Sequence, residues 1–167
     1  MNGAALDPRA LRNAFGAFAT GVTVVTAIAD DGRPIGFTAN SFTSVSLDPP
    51  LVLICIAKRA GSFDIFRSAG AFAINILQEG QRDISTTFAS PRPDKFAGLP
   101  CATAKTGSPV LQDCAAWLDC AMHDQVEAGD HVILIGRVVD FAHSSRTPLG
   151  YYSGSYLGWP DVGQIRT

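Results

Sequence analysis

The fold is decided by the stretch from Ala115 to Phe141, which reads AAWLDCAMHDQVEAGDHVILIGRVVDF. Its two halves, residues 115–126 and 131–141, are rich in apolar and β-branched side chains, and the turn sequence Glu127-Ala128-Gly129-Asp130 separates them. Two such segments joined by a short turn that contains glycine predict an antiparallel hairpin. We therefore expect two long paired strands here.

Shorter segments of the same character precede this hairpin. Residues 22–29 and 34–42 flank the turn signal Asp30-Asp31-Gly32 and predict a second hairpin. Residues 51–57, which follow a pair of prolines, and residues 71–77 predict two further strands. Most of the predicted strands are therefore joined by short connections.

Helices are few. One is predicted to begin at Asp7, which can cap it, with a proline at the next position. A second is predicted from Ser62, whose hydroxyl can cap it, to about Gly70, and a third over residues 79–88. Residues 89–107 are rich in Pro and Gly and predict a loop. We expect residues 1–167 to form one mainly β domain, a closed antiparallel barrel with peripheral helices.

Composition and charge exclude several functions. The chain has 167 residues, 47% of them hydrophobic, and Lys+Arg 13 against Asp+Glu 15 gives a net charge of -2, which argues against binding to a nucleic acid backbone. The longest apolar runs, residues 51–57 and 132–135, are far shorter than the ~20 residues of a membrane-spanning helix. With no signal peptide and no C-x-x-C pair among four cysteines, we expect a cytoplasmic protein with reduced thiols.

The same two apolar runs predict the assembly. Both faces of residues 51–57 are apolar, as are residues 132–135, whereas a barrel strand with solvent outside should alternate. A peripheral helix could cover the outer face, but the interpretation we favour is a symmetric interface between two copies. We therefore expect a homodimer.

Motifs for phosphate cradles and nucleophilic catalysis are missing. Neither G-x-x-x-x-G-K-[ST], G-x-G-x-x-G nor G-x-S-x-G occurs. His123, Asp124, Glu127, Asp130 and His131 cluster within nine residues. If Ala128-Gly129 is the tip of the hairpin, Val126 lies opposite His131 and His123 points to the other face. We therefore predict a solvated tip and neither a metal site nor a catalytic residue.

Small polar groups beside strands predict a ligand site. Residues 38–44 carry five hydroxyl or amide side chains at a barrel rim, a favoured place for ligands, although a turn satisfying its own backbone is an equal alternative. Lys58 and Arg59 precede the expected helix at Ser62, where a phosphate would be favoured. Phe63, Phe88 and Phe96 could add ring contacts, or simply belong to the core. A ligand with a flat ring, a polyol and a phosphate would fit.

The sequence resembles the short-chain flavin reductase family, the reductase components of two-component flavin-dependent monooxygenases. The resemblance covers about residues 10–157 in order, and residues 158–167 form a tail outside it. The stretches that carry it are ATGVTVVT at 19–26, GFTANSFTSVSLDPPLV at 36–52, FAINIL at 72–77, DKF at 94–96, GDH at 129–131 and the tyrosines at 151, 152 and 156.

The resemblance implies an antiparallel FMN-binding split β-barrel, usually a homodimer with the flavin near the subunit interface. It assigns cofactor contacts as follows: the ring edge and ribityl chain to Thr38, Ala39, Asn40, Ser41 and Ser44; the isoalloxazine to Cys55, Ile56 and Ala57; the phosphate to Lys58 and Ser62, with Phe63 adjoining; the pocket closure to Phe88 and Phe96; and the nicotinamide nucleotide to His131 and Tyr152.

The activity implied is an NAD(P)H:flavin oxidoreductase that passes hydride from NADH or NADPH to FMN or FAD and supplies reduced flavin to a separate monooxygenase. The cofactors carry such chemistry, so no catalytic side chain is required. Few cations surround the tyrosines at 151–156, which favours NADH over NADPH. One alternative is a non-catalytic flavoprotein that stores electrons or acts as a sensor. Another, an oxidase of a phosphorylated pyridoxine-type substrate, would need a cationic pocket for which few Arg or Lys are expected nearby.

Overall fold

The long hairpin is the longest element of the protein, whose computed structural model describes residues 6–158. Strands β9 (Ala116–Ala128) and β10 (His131–His143) pair antiparallel along their whole length. Ala128 lies opposite His131, so the turn consists of Gly129 and Asp130, with Gly129 at φ 64°. The prediction that Val126 faces His131 is therefore wrong, because the positive φ that starts the turn falls on the glycine and moves the register.

Seven strands form the main antiparallel sheet, in the order β3-β2-β6-β9-β10-β5-β4. The remaining strands form a three-stranded sheet, β1-β11-β12, and the hairpin β7-β8. In chain order the elements are α1 (Pro8–Gly16), β1 (Thr20–Gly21), β2 (Thr23–Ile28), β3 (Pro34–Ala39), β4 (Thr43–Leu47), β5 (Pro50–Ala57), α2 (Phe63–Ser68), β6 (Ala71–Ile76), a 3-10 helix (Glu79–Gln81), α3 (Arg82–Ala89), β7 (Cys101–Thr103), β8 (Pro109–Leu111), β9, β10, β11 (Gly150–Tyr152) and β12 (Ser155–Leu157).

The predicted mainly β fold is confirmed, and the way the barrel closes is a finding of the structure. β3 and β4 are the two edges of the seven-stranded sheet, so its backbone ladder forms no complete ring. β3 instead approaches β5 through a side chain: the Ser41 hydroxyl, just after β3, accepts a hydrogen bond of 2.9 Å from the Cys55 backbone N–H. We call this junction between β3 and β5 the seam, and it makes the barrel a split one.

The helices lie where the sequence predicts them, and only α2 is shorter than predicted. The Asp7 carboxylate accepts a hydrogen bond from the Arg9 backbone N–H and caps α1 as predicted. Ser62 stands at the N-cap position of α2, but its hydroxyl makes no capping bond, which contradicts that prediction. The predicted helix over 79–88 begins as one turn of 3-10 helix and continues as α3. No helix among residues 6–158 is long and apolar enough to cross a membrane.

Six short strands escape the sequence prediction. The predicted loop over 89–107 contains β7, which pairs with β8. β4 continues the chain after the seam and pairs with β5. β11 and β12 form a small hairpin that also holds β1. Strands of two to five residues carry too little periodicity to stand out. The tail beyond residue 158 lies outside the described residues.

The main core lies inside the main sheet. β2 and β6 are buried on both faces, and a second cluster that includes Val24, Leu77 and Leu111 covers the other side of β2. On β5, Val52, Ile54 and Ile56 are buried, whereas the alternating Leu51 and Leu53 are only half-buried. β10 follows the same pattern. Its half-buried residues include Ile133 and Ile135, which lie opposite Cys55 and Leu53. The outer faces of these two strands therefore form one continuous apolar surface in the single chain.

Candidate functional site

A cavity of about 830 Å³ lies along the seam. Its walls come from β3, the end of β5 with the segment that follows it, the end of α3 and the loop after α3. Pockets of roughly 300–1,000 Å³ are the usual size for cofactors and small ligands. Its lining residues are Arg33, Pro34, Ile35, Gly36, Phe37, Thr38, Ala39, Asn40, Ser41, Cys55, Ile56, Ala57, Arg59, Ala60, Gly61, Ser62, Ile65, Phe88, Ala89, Ser90, Pro91, Arg92, Pro93, Lys95, Phe96 and His131.

Most of the residues predicted from sequence meet at this cavity, although they come from four separate segments. Those that line it are Thr38, Ala39, Asn40, Ser41, Cys55, Ile56, Ala57, Ser62, Phe88, Phe96 and His131. Those that do not line it are Ser44, Lys58, Phe63 and Tyr152.

Each of the four outliers has a different environment. Ser44 lies on β4 opposite Val52 and is exposed. The Lys58 ammonium is 2.6 Å from the Glu127 carboxylate, which also binds Arg67. These two cations hold the pKa of Glu127 below its usual value. Phe63 packs against the main core under the Arg67 guanidinium. Tyr152 on β11 is 44% exposed.

Hydroxyl groups along the seam are held by backbone partners. The Thr38 hydroxyl donates to the Ser85 carbonyl oxygen at 2.6 Å and so joins β3 to α3. The buried Ser85 hydroxyl accepts a hydrogen bond of 2.9 Å from the Tyr156 hydroxyl, which ties the β11–β12 hairpin to α3. The Ser62 hydroxyl has no capping partner. The cavity therefore presents both fixed hydroxyls and one that is available to a ligand.

An aromatic wall closes one side of the cavity. The rings of Phe88 and Phe96 pack edge to face with centroids 5.0 Å apart. The Lys95 ammonium donates to the Phe88 and Gly36 carbonyl oxygens at 2.9 and 3.3 Å, so it fastens the loop after α3 to β3. Partial burial lowers the pKa of Lys95. A cation in this place raises the affinity of the cavity for anions.

Four cations line the cavity, and no Asp or Glu of the described residues does. Arg33, Arg59, Arg92 and Lys95 come from the β2–β3 turn, the segment after β5 and the loop after α3. The expectation that few Arg or Lys lie near the site is therefore wrong. No sequence pattern groups these residues, because they are brought together only when β3, β5 and α3 fold around the seam.

His131 faces the cavity from the first position of β10. Its Nδ1 is 2.7 Å from an Asp130 carboxylate oxygen. This hydrogen bond with His131 holds the pKa of Asp130 below its usual value. Since one ring nitrogen is engaged by the carboxylate, the imidazole is oriented at the cavity edge. Across the span 6–158, no three His, Cys, Asp or Glu side chains lie close enough together to hold a metal ion.

These features define a class of protein. A split β-barrel whose seam holds a large cavity, with hydroxyls, backbone groups and cations but no carboxylate among the residues described, is built to bind an anionic cofactor of nucleotide type. The chain belongs to the flavin reductase like domain family, whose family model matches residues 15–160.

Similar proteins agree with this assignment. The chain is 58% identical over 157 residues to a probable flavin reductase of Rhizobium meliloti, covering 94% of this chain and 50% of the relative. It is 53% identical to the reductase component of the flavin-dependent trigonelline monooxygenase of Acinetobacter baylyi, covering 89% and 48%. The chain thus spans about half the length of these curated relatives.

A solved structure is similar over almost the whole chain. The Streptomyces globisporus NADH:FAD oxidoreductase SgcE6, in complex with NAD and FAD fragments, superposes with a TM-score of 0.87 at 37% identity. The similarity covers 95% of this chain and 98% of that one. The fold is therefore shared with that NADH:FAD oxidoreductase.

Proposed function

We propose that this protein is an NAD(P)H:flavin oxidoreductase, which passes hydride from NADH or NADPH to FMN or FAD. The observation that carries the proposal is the seam cavity itself. It combines eleven of the residues assigned to cofactor contact with four cations and no described carboxylate. Its polar groups suit the ribityl chain and its cations suit a phosphate, so the residues present fit a flavin nucleotide.

Residues of the seam hold the flavin in this proposal. The edge of β3 from Thr38 to Ser41 faces the ring edge and ribityl chain, and the end of β5 faces the isoalloxazine. Lys58 is engaged by Glu127 and points away from the cavity lining, so the phosphate role proposed for it passes to its neighbour Arg59, together with Ser62. Phe88 and Phe96 close the pocket.

The bound flavin supplies the hydride-accepting ring, and the protein supplies alignment and exclusion of water. His131, oriented by Asp130, lies at the cavity edge where the nicotinamide nucleotide is proposed to dock. Tyr152 is proposed to contact the same nucleotide from the β11–β12 hairpin. NADH is the favoured donor, because the segment around Tyr152 offers few cations for an additional phosphate.

A separate oxygenase is the proposed recipient of the reduced flavin. One relative is named as the reductase component of a flavin-dependent monooxygenase, and its chain matches this one over 89% of the present length. The cavity opens on the barrel surface, which suits exchange of the flavin between two proteins.

We also propose that two copies form a homodimer. The outer faces of β5 and β10 present Leu53, Ile133 and Ile135 half-buried in the single chain. Contiguous apolar surfaces of this kind mark interfaces, and a self-complementary face gives a two-fold dimer.

The proposal is tested by steady-state kinetics with NADH and NADPH crossed against FMN, FAD and riboflavin. Flavin-dependent loss of nicotinamide absorbance is expected with at least one pair. A protein that retains yellow flavin tightly and oxidises neither nucleotide would instead be an electron-storage or sensor protein. Absence of both turnover and flavin binding would refute the proposal altogether.

A further inference from the structure

The cations of the seam cavity fall into two groups, which come from different parts of its lining. Arg59 follows β5 and lies beside the hairpin tip. There the Lys58 backbone N–H donates to the Asp130 carbonyl oxygen at 2.9 Å, and the positive charge of Arg59 contributes to the lowered pKa of the Asp130 carboxylate. The second group, Arg33, Arg92 and Lys95, lies in the turn before β3 and in the loop after α3. Lys95 fastens this loop to β3 by its hydrogen bond to the Gly36 carbonyl oxygen. We call the part of the lining that holds this group the β3 wall, and the part that holds Arg59 the β5 wall.

A ligand with a single phosphate would pair with Arg59 and leave the cations of the β3 wall without a partner anion. FMN carries one phosphate, and the proposed function places it beside Arg59 and Ser62 on the β5 wall. The cations of the β3 wall then face a part of the cavity that FMN leaves without an anion. Arg92 and Lys95 have no carboxylate partner within residues 6–158, and Arg33 has only the exposed Asp31, so the mutual repulsion of these cations favours a further negative group in the ligand.

Several hydrogen-bond donors of the β3 wall are not used by protein acceptors. Within residues 6–158, no carboxylate lies within ion-pairing distance of Arg92. Arg33 uses only its Nε on Asp31, in an exposed pair, and both terminal nitrogens of its guanidinium are left for a ligand. Lys95 donates two of its three ammonium N–H groups to carbonyl oxygens, which leaves the third for a ligand. Guanidinium groups are suited to phosphate because they donate two parallel hydrogen bonds.

We infer that Arg33 and Arg92, with Lys95, bind the negative charge that a dinucleotide adds beyond the FMN phosphate, which makes this cavity selective for a dinucleotide over a mononucleotide. The inference rests on the proposed function and deepens it. The added charge is either the second phosphate of FAD, which is bonded to the FMN phosphate, or the diphosphate of the nicotinamide dinucleotide. In either case the two arginines are specificity-determining residues, and they take no part in the hydride transfer.

The test is ligand binding by the double variant Arg33→Gln/Arg92→Gln. Flavin affinity is measured by quenching of FMN and FAD fluorescence, and NAD+ and NADP+ affinity by calorimetry, so none of the readouts needs turnover. The matched control is Lys105→Gln/Arg146→Gln, which removes the same charge outside this cavity. Both variants are checked by circular dichroism, and the first pair is exposed, which favours normal folding.

If FAD supplies the added phosphate, the FAD dissociation constant rises at least about tenfold in the double variant, while that of FMN changes less than about twofold. If the nicotinamide dinucleotide supplies it, NAD+ or NADP+ binding weakens by that factor and both flavins are unaffected. The control variant leaves all values within about twofold.

Two results would overturn the inference. Equal weakening of FMN and FAD would place the first phosphate on the β3 wall, and no weakening of any ligand would remove the subsite altogether. A second measurement uses the unmodified protein: the dissociation constant of the selected dinucleotide must rise more steeply with salt than that of FMN. Loss of turnover with intact dinucleotide selectivity would refute the proposed function alone.

Discussion

Replacement of Gly36 by alanine tests the packing of the cavity wall. A Cβ at this position would stand 2.7 and 2.9 Å from two Phe88 ring carbons and 2.9 Å from the Val25 carbonyl oxygen. Ordinary contacts begin near 3.4 Å, so the ring or the strand must move by at least about 0.5 Å in a close-packed interior. Phe88 is 1% exposed and packs on Phe96, and Val25 belongs to the β2–β3 ladder, so neither yields freely.

The expected cost is overpacking, about 1–3 kcal/mol of the free energy of unfolding. It is partly offset by the loss of glycine's freedom in the unfolded chain, worth about 0.4–1 kcal/mol. Urea unfolding followed by circular dichroism measures the net decrease. For a domain of this size each kcal/mol corresponds to about 2–4 °C in Tm. Flavin titration of the folded variant should also show weaker binding, because Phe88 lines the cavity.

Gly70→Ala is the matched control. A Cβ there meets no atom within 4 Å, so the same change should leave stability unchanged or slightly raised. A Gly36→Ala protein as stable as the control, with unchanged flavin affinity, would refute the view that Gly36 exists to admit the Phe88 ring. Recovery of stability in Gly36→Ala/Phe88→Leu, relative to the sum of the single changes, would support it.

Three other outcomes are expected. Ser41→Ala leaves the Cys55 N–H without its partner, so the free energy of unfolding in urea should fall by about 1 kcal/mol, and an unchanged value would show that the seam does not depend on this bond. Ile135→Lys should convert a dimer into a folded monomer in light scattering, whereas a dimer of unchanged affinity would place the interface elsewhere. Burial raises the pKa of Cys114 and Cys120 to about 12, so at pH 8 a thiol reagent should modify the exposed Cys101 in the native protein but Cys114 and Cys120 only after denaturation; rapid native labelling of either buried cysteine, located by peptide mass spectrometry, would contradict their burial.

The strands and helices that carry strong periodicity could be predicted from the sequence. β2, β5, β6, β9 and β10 combine β-branched residues with turn signals at their ends, and α1 has its own cap. The register at the hairpin tip could not be predicted, because one residue of difference in the turn leaves the composition of both strands unchanged. The seam also lay beyond prediction, since it depends on one hydroxyl meeting a strand fourteen residues further along the chain.

The site was predictable where its residues are contiguous. The polar run after β3 and the end of β5 were identified directly, and the structure brings both to one cavity. The cation proposed to face the phosphate could not be predicted, because Lys58 and Arg59 are neighbours in the sequence. Only the structure shows that Glu127 on the adjacent hairpin pairs with Lys58. The cations of the β3 wall could not be predicted either, because Arg33 and Arg92 are 59 residues apart and no sequence motif links them.

The side-chain closure of the barrel has a kinetic consequence. Because β3 and β5 meet through the Ser41 hydroxyl and not through ladder hydrogen bonds, the barrel wall can part beside the cavity while every rung of the main sheet stays intact. Local openings of this kind need far less free energy than global unfolding and are correspondingly faster. For the proposed exchange of flavin at this cavity, we therefore expect the residence time of the ligand to depend on local opening and not on global unfolding.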